Sequence, residues 1–397
     1  MAEQQTDPVP FRGERSVAIL FDPEGTWSLA AIEGIAEYAK RHGGWRLLCA
    51  PRDAQGKLQL PPGWRGDGIL SRFLSLQARR QHLSYKIPIV DLETITPGTY
   101  NPLIANVVTD DEARADLIVK HLLSLERDKL ACFNPPHPQY SQKRFEQVQK
   151  KLREARQTCE LFWKYRDKTW FKHDWETQQD LIKTWLTKLP PKTGVFAADG
   201  RQGRLITEWC HFLKISVPDD VAVLTGDDDG LLSSISSPPL SGIVLAAKQH
   251  GFEAAAMLDQ MMDGADAPRE PIRIKPLHVA VRQSTDILKY ESPEIVQAIR
   301  FIRQNASLGI NVSDVLNHIP ISRRSLEQQF LETIGHTLGH EIRKVRFEQA
   351  QTQLANTDMT IEQIAASCGY SSASQLCRSF QKTLGETPLS YRKRMQH

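Results

Sequence analysis

Two different rhythms of apolar residues run along the chain. From Ser16 to about Val281, short and nearly continuous apolar runs alternate with longer amphipathic stretches. Ser16–Phe21, Ile69–Ser71, Ile87–Leu92, Ala105–Val108, Lys129–Phe133, Gly194–Ala198 and Val221–Thr225 read as buried strands. Ser28–Arg41, Ala113–Leu125, Gln142–Arg156, Trp175–Leu189 and Arg204–Leu213 carry the wider spacing of helices. Strands without polar alternation, separated by helices, predict parallel sheet covered on both faces. Such sheets receive ligands beyond the carboxyl ends of their strands.

After Val281 the pattern predicts helices alone. Ser292-Pro293-Glu294 opens the first, with a capping hydroxyl, a proline suited to the first turn and an acid that complements the dipole. Ile295, Ile299, Ile302 and Ala306 form one stripe. Asn311 to His318 is a short helix stopped by Pro320, and Ser322 then caps a helix that buries Leu326 and Phe330. A longer helix is expected over Thr337 to Asn356, with Leu338, Ile342, Val345 and Leu354 on its inner face. The arrangement then recurs: Thr360 and Gln363 suit a capping box for Ile361–Ser367, Gly369 suits a turn, and a helix from Ser371–Ser372 buries Leu376 and Phe380. Thr387-Pro388 opens a last short helix holding Tyr391. Ser322 matches Ser372, Leu326 matches Leu376 and Phe330 matches Phe380, an offset of 50 residues. Two short helices with a tight turn are the helix-turn-helix layout, whose second helix reads the groove. A connecting helix of roughly 18 residues spans about 27 Å, which would set two reading helices about one turn of B-DNA apart.

The expected organisation is a flexible tail over 1–14, an α/β domain over 15–285, a linker over 286–291 and an all-α domain over 292–397. At 397 residues there is room for two or three domains. The 50 basic and 47 acidic side chains leave a net charge of +3, and from Tyr290 onward 12 basic residues face 10 acidic ones. Charge therefore neither demands nor excludes nucleic acid, and the motif spacing has to carry that inference. Six scattered cysteines, with no C-x-x-C pair, point away from a zinc site or disulfide framework and toward reduced thiols in the cytoplasm. The polar start is no signal peptide, and no run is long and apolar enough for a membrane helix. No H-E-x-x-H, G-x-S-x-G, phosphate loop or G-x-G-x-x-G occurs, so an enzyme is not expected, nor a cofactor or metal.

The segments I-S-R-R-S-L-E-Q-Q-F (321–330) and M-T-I-E-Q-I-A-A-S-C-G-Y-S-S-A-S-Q-L-C-R-S-F-Q-K-T-L-G-E-T-P-L-S-Y-R (359–392) resemble the AraC/XylS regulator domain. G-Y-S, R-x-F, G-x-T-P and Y-R all fall at that family's spacing. On each reading helix the face opposite the buried leucine and phenylalanine holds an i, i+3, i+4 set: Arg324, Glu327 and Gln328 in one, Ser374, Cys377 and Arg378 in the other. These match the positions that face bases in the family. Arginine suits guanine O6 and N7, glutamine suits adenine, and a glutamate accepts from cytosine N4. Ser322, Arg323, Lys382 and Arg392, with Lys393, are candidate backbone contacts. The resemblance implies double-stranded DNA and RNA polymerase as partners.

The earlier domain is similar to the LacI/GalR sensor, a relative of periplasmic sugar-binding proteins. V-A-V-L-T-G-D-D-D-G, S-S-P-P-L-S-G-I and H-G-F-E-A-A-A-M-L (between 221 and 258) carry that resemblance, with weaker support at 107–110 and 143–145. It implies two α/β lobes joined by crossover strands and a ligand in the cleft. Asp22, Trp27, Phe73, Arg144, Asp199 and Asp227 lie at strand ends or beside them and suit a sugar: carboxylates and arginine fork hydrogen bonds between hydroxyls, and an indole stacks on the ring. Other readings stay open, with Trp27 as core packing, Asp22 as a helix cap and Arg144 paired with a surface acid. Over its whole length the chain is similar to the family of xylose operon regulators, which implies a homodimeric activator. The stretch D-P-E-G-T-W-S-L (22–29), however, lacks the basic residue that sugar-binding relatives place there. D-xylose, another sugar, or a sensor that has lost its sugar all remain as readings.

Overall fold

The computed structural model describes residues 14–23, 25–54, 56–72, 85–92, 100–135, 139–163, 169–287, 292–357 and 359–395. It divides into two compact units, Met1–Ile287 and Leu288–His397.

The first unit holds two six-stranded sheets. One has the order β11 (Ile272–Ile274), β5 (Ile104–Thr109), β4 (Ile89–Asp91), β3 (Gly68–Ser71), β1 (Arg15–Leu20), β2 (Trp45–Cys49), all neighbours parallel. The other runs β12 (His278–Ala280), β10 (Ser241–Val244), β9 (Val221–Thr225), β8 (Thr193–Ala197), β6 (Lys129–Phe133), β7 (Glu160–Leu161), parallel except for the β10–β12 pair. The chain crosses between the lobes three times: after β5, between β10 and the helix at Ala247, and between β11 and β12.

Strand β1 shows why its sequence lacks alternation. Val17 and Ile19 enter one core with the helices α1 (Thr26–His42) and α7 (Ala247–Met262), while Ala18 and Leu20 enter a second core on the opposite face. Both faces of the pleat are buried, so both sets must be apolar. Helices α1 and α7 approach so closely that a Cβ on Gly251 would stand 1.8 Å from the Ala31 carbonyl oxygen. In the second lobe α2 (Asp111–Ser124) and α3 (Gln139–Glu154) cover one face, and α4 (Trp175–Lys188) and α5 (Gly200–Phe212) cover the other. Asp110, Asp174 and Asp199 cap α2, α4 and α5 by accepting from backbone N–H groups of the first turn. The Asp199 cap starts α5 four residues before the start expected from the apolar spacing. A short helix α6 (Gly230–Ile235) follows β9.

The second unit is helical: α8 (Pro293–Asn305), a 3₁₀ turn (Ala306–Leu308), α9 (Val312–His318), α10 (Arg323–Ile334), α11 (Leu338–Asn356), α12 (Ile361–Ser367), α13 (Ala373–Leu384) and α14 (Pro388–Met395). It contains two cores. Ile295, Ile299, Ile302, Val315, Leu326 and Phe330 fill the first, and Ile364, Leu376, Phe380 and Tyr391 fill the second. The long α11 serves both, sending Leu338, Ile342 and Val345 into the first and Phe347, Ala350 and Leu354 into the second. Its inner face is therefore not the single stripe expected from sequence. The buried side turns by about half a revolution between Val345 and Phe347, since two residues advance a helix by about 200°.

Candidate DNA-reading face and ligand cleft

The 50-residue repeat extends to the caps. Ser322 Oγ accepts from the Ser325 N–H and Ser372 Oγ from the Gln375 N–H, both at 3.3 Å. Helices α10 and α13 each end on a left-handed glycine, Gly335 and Gly385. Thr337 and Thr387 then accept from backbone N–H groups of the next helix. The short helices ahead of them, α9 and α12, both begin with complete capping boxes, Asn311 with Asp314 and Thr360 with Gln363. With ends fixed alike, the two helices present equivalent faces. Leu326, Phe330, Leu376 and Phe380 are fully buried, whereas Arg324, Glu327, Gln328, Ser374, Cys377 and Arg378 are all exposed.

The exposed side chains on α10 are partly engaged with one another. Arg323 Nε donates to Glu327 Oε1 at 3.1 Å and Gln328 Nε2 to Glu332 Oε1 at 2.9 Å. These are solvent-exposed i, i+4 contacts worth only about 0.3–0.5 kcal/mol each, cheap to exchange for a base edge. Beside α10 runs a groove of about 840 Å³. Arg323, Arg324, Glu327 and Gln328 form one wall, and Val312, Thr337 and Leu338, from the starts of α9 and α11, form the other. Helix starts offer free N–H groups of the kind that bind phosphate oxygens. Lys382 and Lys393 are exposed. Arg392 is placed otherwise than expected for a backbone contact: its Nη2 donates to the Met359 carbonyl, tying α14 to the chain before α12.

In the first unit Asp22, Asp199 and Asp227 lie just past the carboxyl ends of β1, β8 and β9, Trp27 lies in the first turn of α1 and Arg144 on α3. Arg144 and Asp227 meet: Nη1 lies 3.1 Å from Asp227 Oδ2 and 2.9 Å from the Ala198 carbonyl oxygen. Arg144 thus pairs with its fellow candidate. Asp227 Oδ1 also accepts from the Gly200 N–H at 3.2 Å. Burial raises the Asp227 pKa, opposed by the Arg144 guanidinium and reinforced by the nearby Asp199 carboxylate. Asp199 spends one oxygen on the Gln202 N–H.

On the facing lobe the N-cap position of α1 is Gly25, and Asp22 pairs with Arg52, which follows β2. Trp27 packs its edge against His250, with ring centroids 5.2 Å apart, and the Arg72 guanidinium lies 4.9 Å above its ring. The basic groups missing from 22–29 therefore arrive in space, from the ends of β2 and β3. Sequence reasoning overlooked Arg52 and Arg72 because neither sits in a recognisable motif. Phe73 lies outside the described residues. Across the cleft, Thr26 Oγ1 donates to Asp229 Oδ1 at 2.7 Å.

One further network was not foreseen. Thr225 Oγ1, at the end of β9, donates to the backbone oxygens of Asp227 and Ser241. Ser241 Oγ donates to the Arg282 carbonyl and accepts from Thr285 Oγ1, while Ser284 Oγ donates to the Val223 carbonyl. Arg282 forks onto Asp228 with contacts of 2.8 and 2.9 Å. The segment 282–285 is thereby fastened to the strand that carries Asp227. Two of the scattered cysteines also meet, Cys132 and Cys159, with sulfurs 2.7 Å apart. Among the described residues no group of three or more His, Cys, Asp or Glu could hold a metal, and no helix is long and apolar enough to cross a membrane.

Comparison with known proteins gives the class first. Residues 119–285 match the periplasmic binding protein-like domain and residues 316–394 match a helix-turn-helix domain. The chain has the architecture of a transcription regulator, with a two-lobed α/β periplasmic binding protein-like domain followed by a helix-turn-helix domain. More particularly, it is 27% identical over 390 residues to the xylose operon regulatory protein of Escherichia coli K12, covering 96% of this chain and 98% of that one. The xylose operon regulatory protein of Haemophilus influenzae is 25% identical over 386 residues, covering 95% and 97%. Among solved structures, that of a xylose-binding transcription activator superposes with a TM-score of 0.67 at 26% identity, over 98% of this chain and 100% of the other. A LacI-family regulator from Enterococcus faecium with bound ribose (TM-score 0.52, 19% identity, 69% of this chain and 100% of the other) shares the fold of the sensor.

Proposed function

We propose that the protein is a sugar-responsive activator of a sugar-catabolic operon, with D-xylose or a related pentose as its ligand. The reading is supported by the matched exposed triplets on α10 and α13, two helices that both start on a serine cap and lie 50 residues apart. Arg324 and Arg378 read guanines, Gln328 an adenine and Glu327 a cytosine amino group, while Ser374 and Cys377 fit against neighbouring bases. Ser322, Arg323 and Lys382 set the register on phosphates. The protein acts as a homodimer, and bound to its operator it engages RNA polymerase.

The cleft suits a neutral polyhydroxy ligand. Asp22, Asp199 and Asp227 are matched by Arg52, Arg72 and Arg144, so an uncharged ligand with many hydroxyls can bond both signs without leaving one unpaired. Ligand at Asp227 bears on the Asp228–Arg282 and Ser241–Thr285 contacts, through which closure of the lobes reaches the peptide leading to the DNA-binding unit. The sugar shifts the population only by as much as it favours the competent state. Footprinting on the DNA upstream of the gene, with and without D-xylose and other pentoses, tests the reading. Protection strengthened by one pentose is expected, and absence of protection in every condition would overturn it.

One observation favours a second reading, in which the sensor has lost its sugar and serves dimerisation or a different ligand. Asp22 is already paired with Arg52, and one face of Trp27 is covered by Arg72. Calorimetry against pentoses, hexoses and their phosphates separates the two, since heat from a pentose is expected only in the first.

A further inference from the structure

A single connecting helix would leave the two helix-turn-helix units free to twist and bend relative to each other. The described contacts do not leave them so. At the point where the buried side of α11 passes from the first core to the second, between Val345 and Phe347, stands Arg346. Its Nε donates to the Ala306 carbonyl at 2.8 Å and its Nη2 to the Ile310 carbonyl at 2.7 Å. Both carbonyls belong to the turn that joins α8 to α9, ahead of the first reading helix.

The second helix-turn-helix unit presses on the same turn. Gly369, at the corner between α12 and α13, has φ +75°, and a Cβ there would lie 2.3 Å from the Ala306 oxygen and 3.0 Å from both the Gly309 nitrogen and the Ser307 oxygen. The Ala306 carbonyl is thus met both by Arg346 and by the corner of the second helix-turn-helix unit. Next to Gly369, the Tyr370 hydroxyl lies 3.4 Å from Ser379 Oγ on the second reading helix. Burial lowers the Arg346 pKa and raises that of Tyr370, as expected for groups withdrawn from water at a packed junction.

We infer that Arg346 is a positioning residue for DNA recognition: it clamps the two helix-turn-helix units into one register and makes the protein selective for the spacing between its two DNA sub-sites. The inference rests on the reading above, in which α10 and α13 enter successive major grooves. Inserting one base pair between the sub-sites moves the second by about 3.4 Å and turns it by about 35°, a tenth of a helical turn. Two charge-assisted bonds from one planar guanidinium resist both motions, and a lysine can supply only a point charge in their place.

The test uses the full chain. DNA bound by the wild type is selected from a random library, and affinity is then measured for that site and for the same site with one base pair inserted between its halves. Wild type is expected to lose about tenfold or more on insertion, as for loss of specific contacts in one half. Arg346→Met is expected to bind the selected site within about threefold of wild type and to lose less than about threefold on insertion; Arg346→Lys should fall between. Thermal melting followed by circular dichroism checks that each variant is folded. If Arg346→Met does not fold, Arg346→Lys carries the comparison. A folded variant that discriminates spacing as sharply as wild type overturns the inference. Selection of no DNA, or of a single sub-site, by the wild type would instead overturn the DNA-reading assignment on which it rests.

Discussion

Replacing Arg144 by methionine isolates its ion pair with Asp227. The Arg144 side chain is 6% exposed and that of Asp227 27%. Breaking a fully buried pair by removing one partner costs about 3–5 kcal/mol, because the remaining charge is stranded. Asp227 keeps its Gly200 N–H bond and some contact with water, so the expected cost is nearer about 2–3 kcal/mol. For a unit of this size that corresponds to a fall in Tm of about 4–6 °C. All eight tryptophans precede residue 288, so tryptophan fluorescence follows the unfolding of the sensor alone. The pH dependence has a definite sign. Burial already holds the Asp227 pKa above its unfolded value, and removing the opposing guanidinium raises it further. A carboxyl with a raised folded pKa stabilises below its unfolded pKa, and that stability is lost as pH rises through the folded value. The deficit of Arg144→Met must therefore grow from acid toward neutral pH. Adding Asp227→Asn, which removes the stranded charge, should recover much of it. A deficit that is flat with pH, or undiminished in the double variant, would refute the assignment of a charge pair.

Arg324→Ala and Arg378→Ala should each weaken operator binding by about 1–3 kcal/mol and relax preference at one base pair each, whereas Lys382→Ala should weaken all sequences alike and reduce the salt slope by about 0.9. Titrations on operator and random DNA at several salt concentrations separate the two behaviours, and equal losses on both DNAs for the arginine variants would contradict base reading. Phe380→Ala removes a ring packed on Phe347 and Tyr391, with centroids 4.6 and 5.4 Å away, and should cost the second core about 3–5 kcal/mol. Calorimetry should show this loss while the tryptophan transition stays in place. Thr285→Val deletes the hydroxyl that bonds Ser241 Oγ and lies 2.9 Å from His121 Nε2. Pentose affinity measured by calorimetry should hold within about twofold while the effect of the sugar on DNA binding shrinks, since coupling and affinity are separate free energies; undiminished coupling would remove this segment from the route.

Helices α10 and α13 were legible in the sequence because every signal that fixes them is local. Ser322 and Ser372, the buried pairs Leu326/Phe330 and Leu376/Phe380, and the closing glycines lie within a few turns of the residues they position. A face set by i, i+3, i+4 spacing follows from helix geometry alone once the buried side is known. Where a helix serves two cores, the same reasoning misleads, and α11 was assigned one inner face instead of two. Short edge strands were also missed. Strand β7 is two residues long, and β2 is only partly buried, so neither shows a continuous apolar run.

The cleft was less legible for a different physical reason. Its partners converge from separate crossovers and strand ends, with 30 residues between Asp22 and Arg52 and 83 between Arg144 and Asp227. No periodicity relates such positions, so each acid or base could be placed at a strand end but not assigned a partner. The apparent lack of a basic group after β1 shows the consequence. What the local stretch 22–29 omits, the fold supplies through Arg52 and Arg72, so absence from a segment is no argument for absence from a site. On the proposed reading, the residues to vary for ligand preference are therefore Arg52 and Arg72 as well as those of the 22–29 segment.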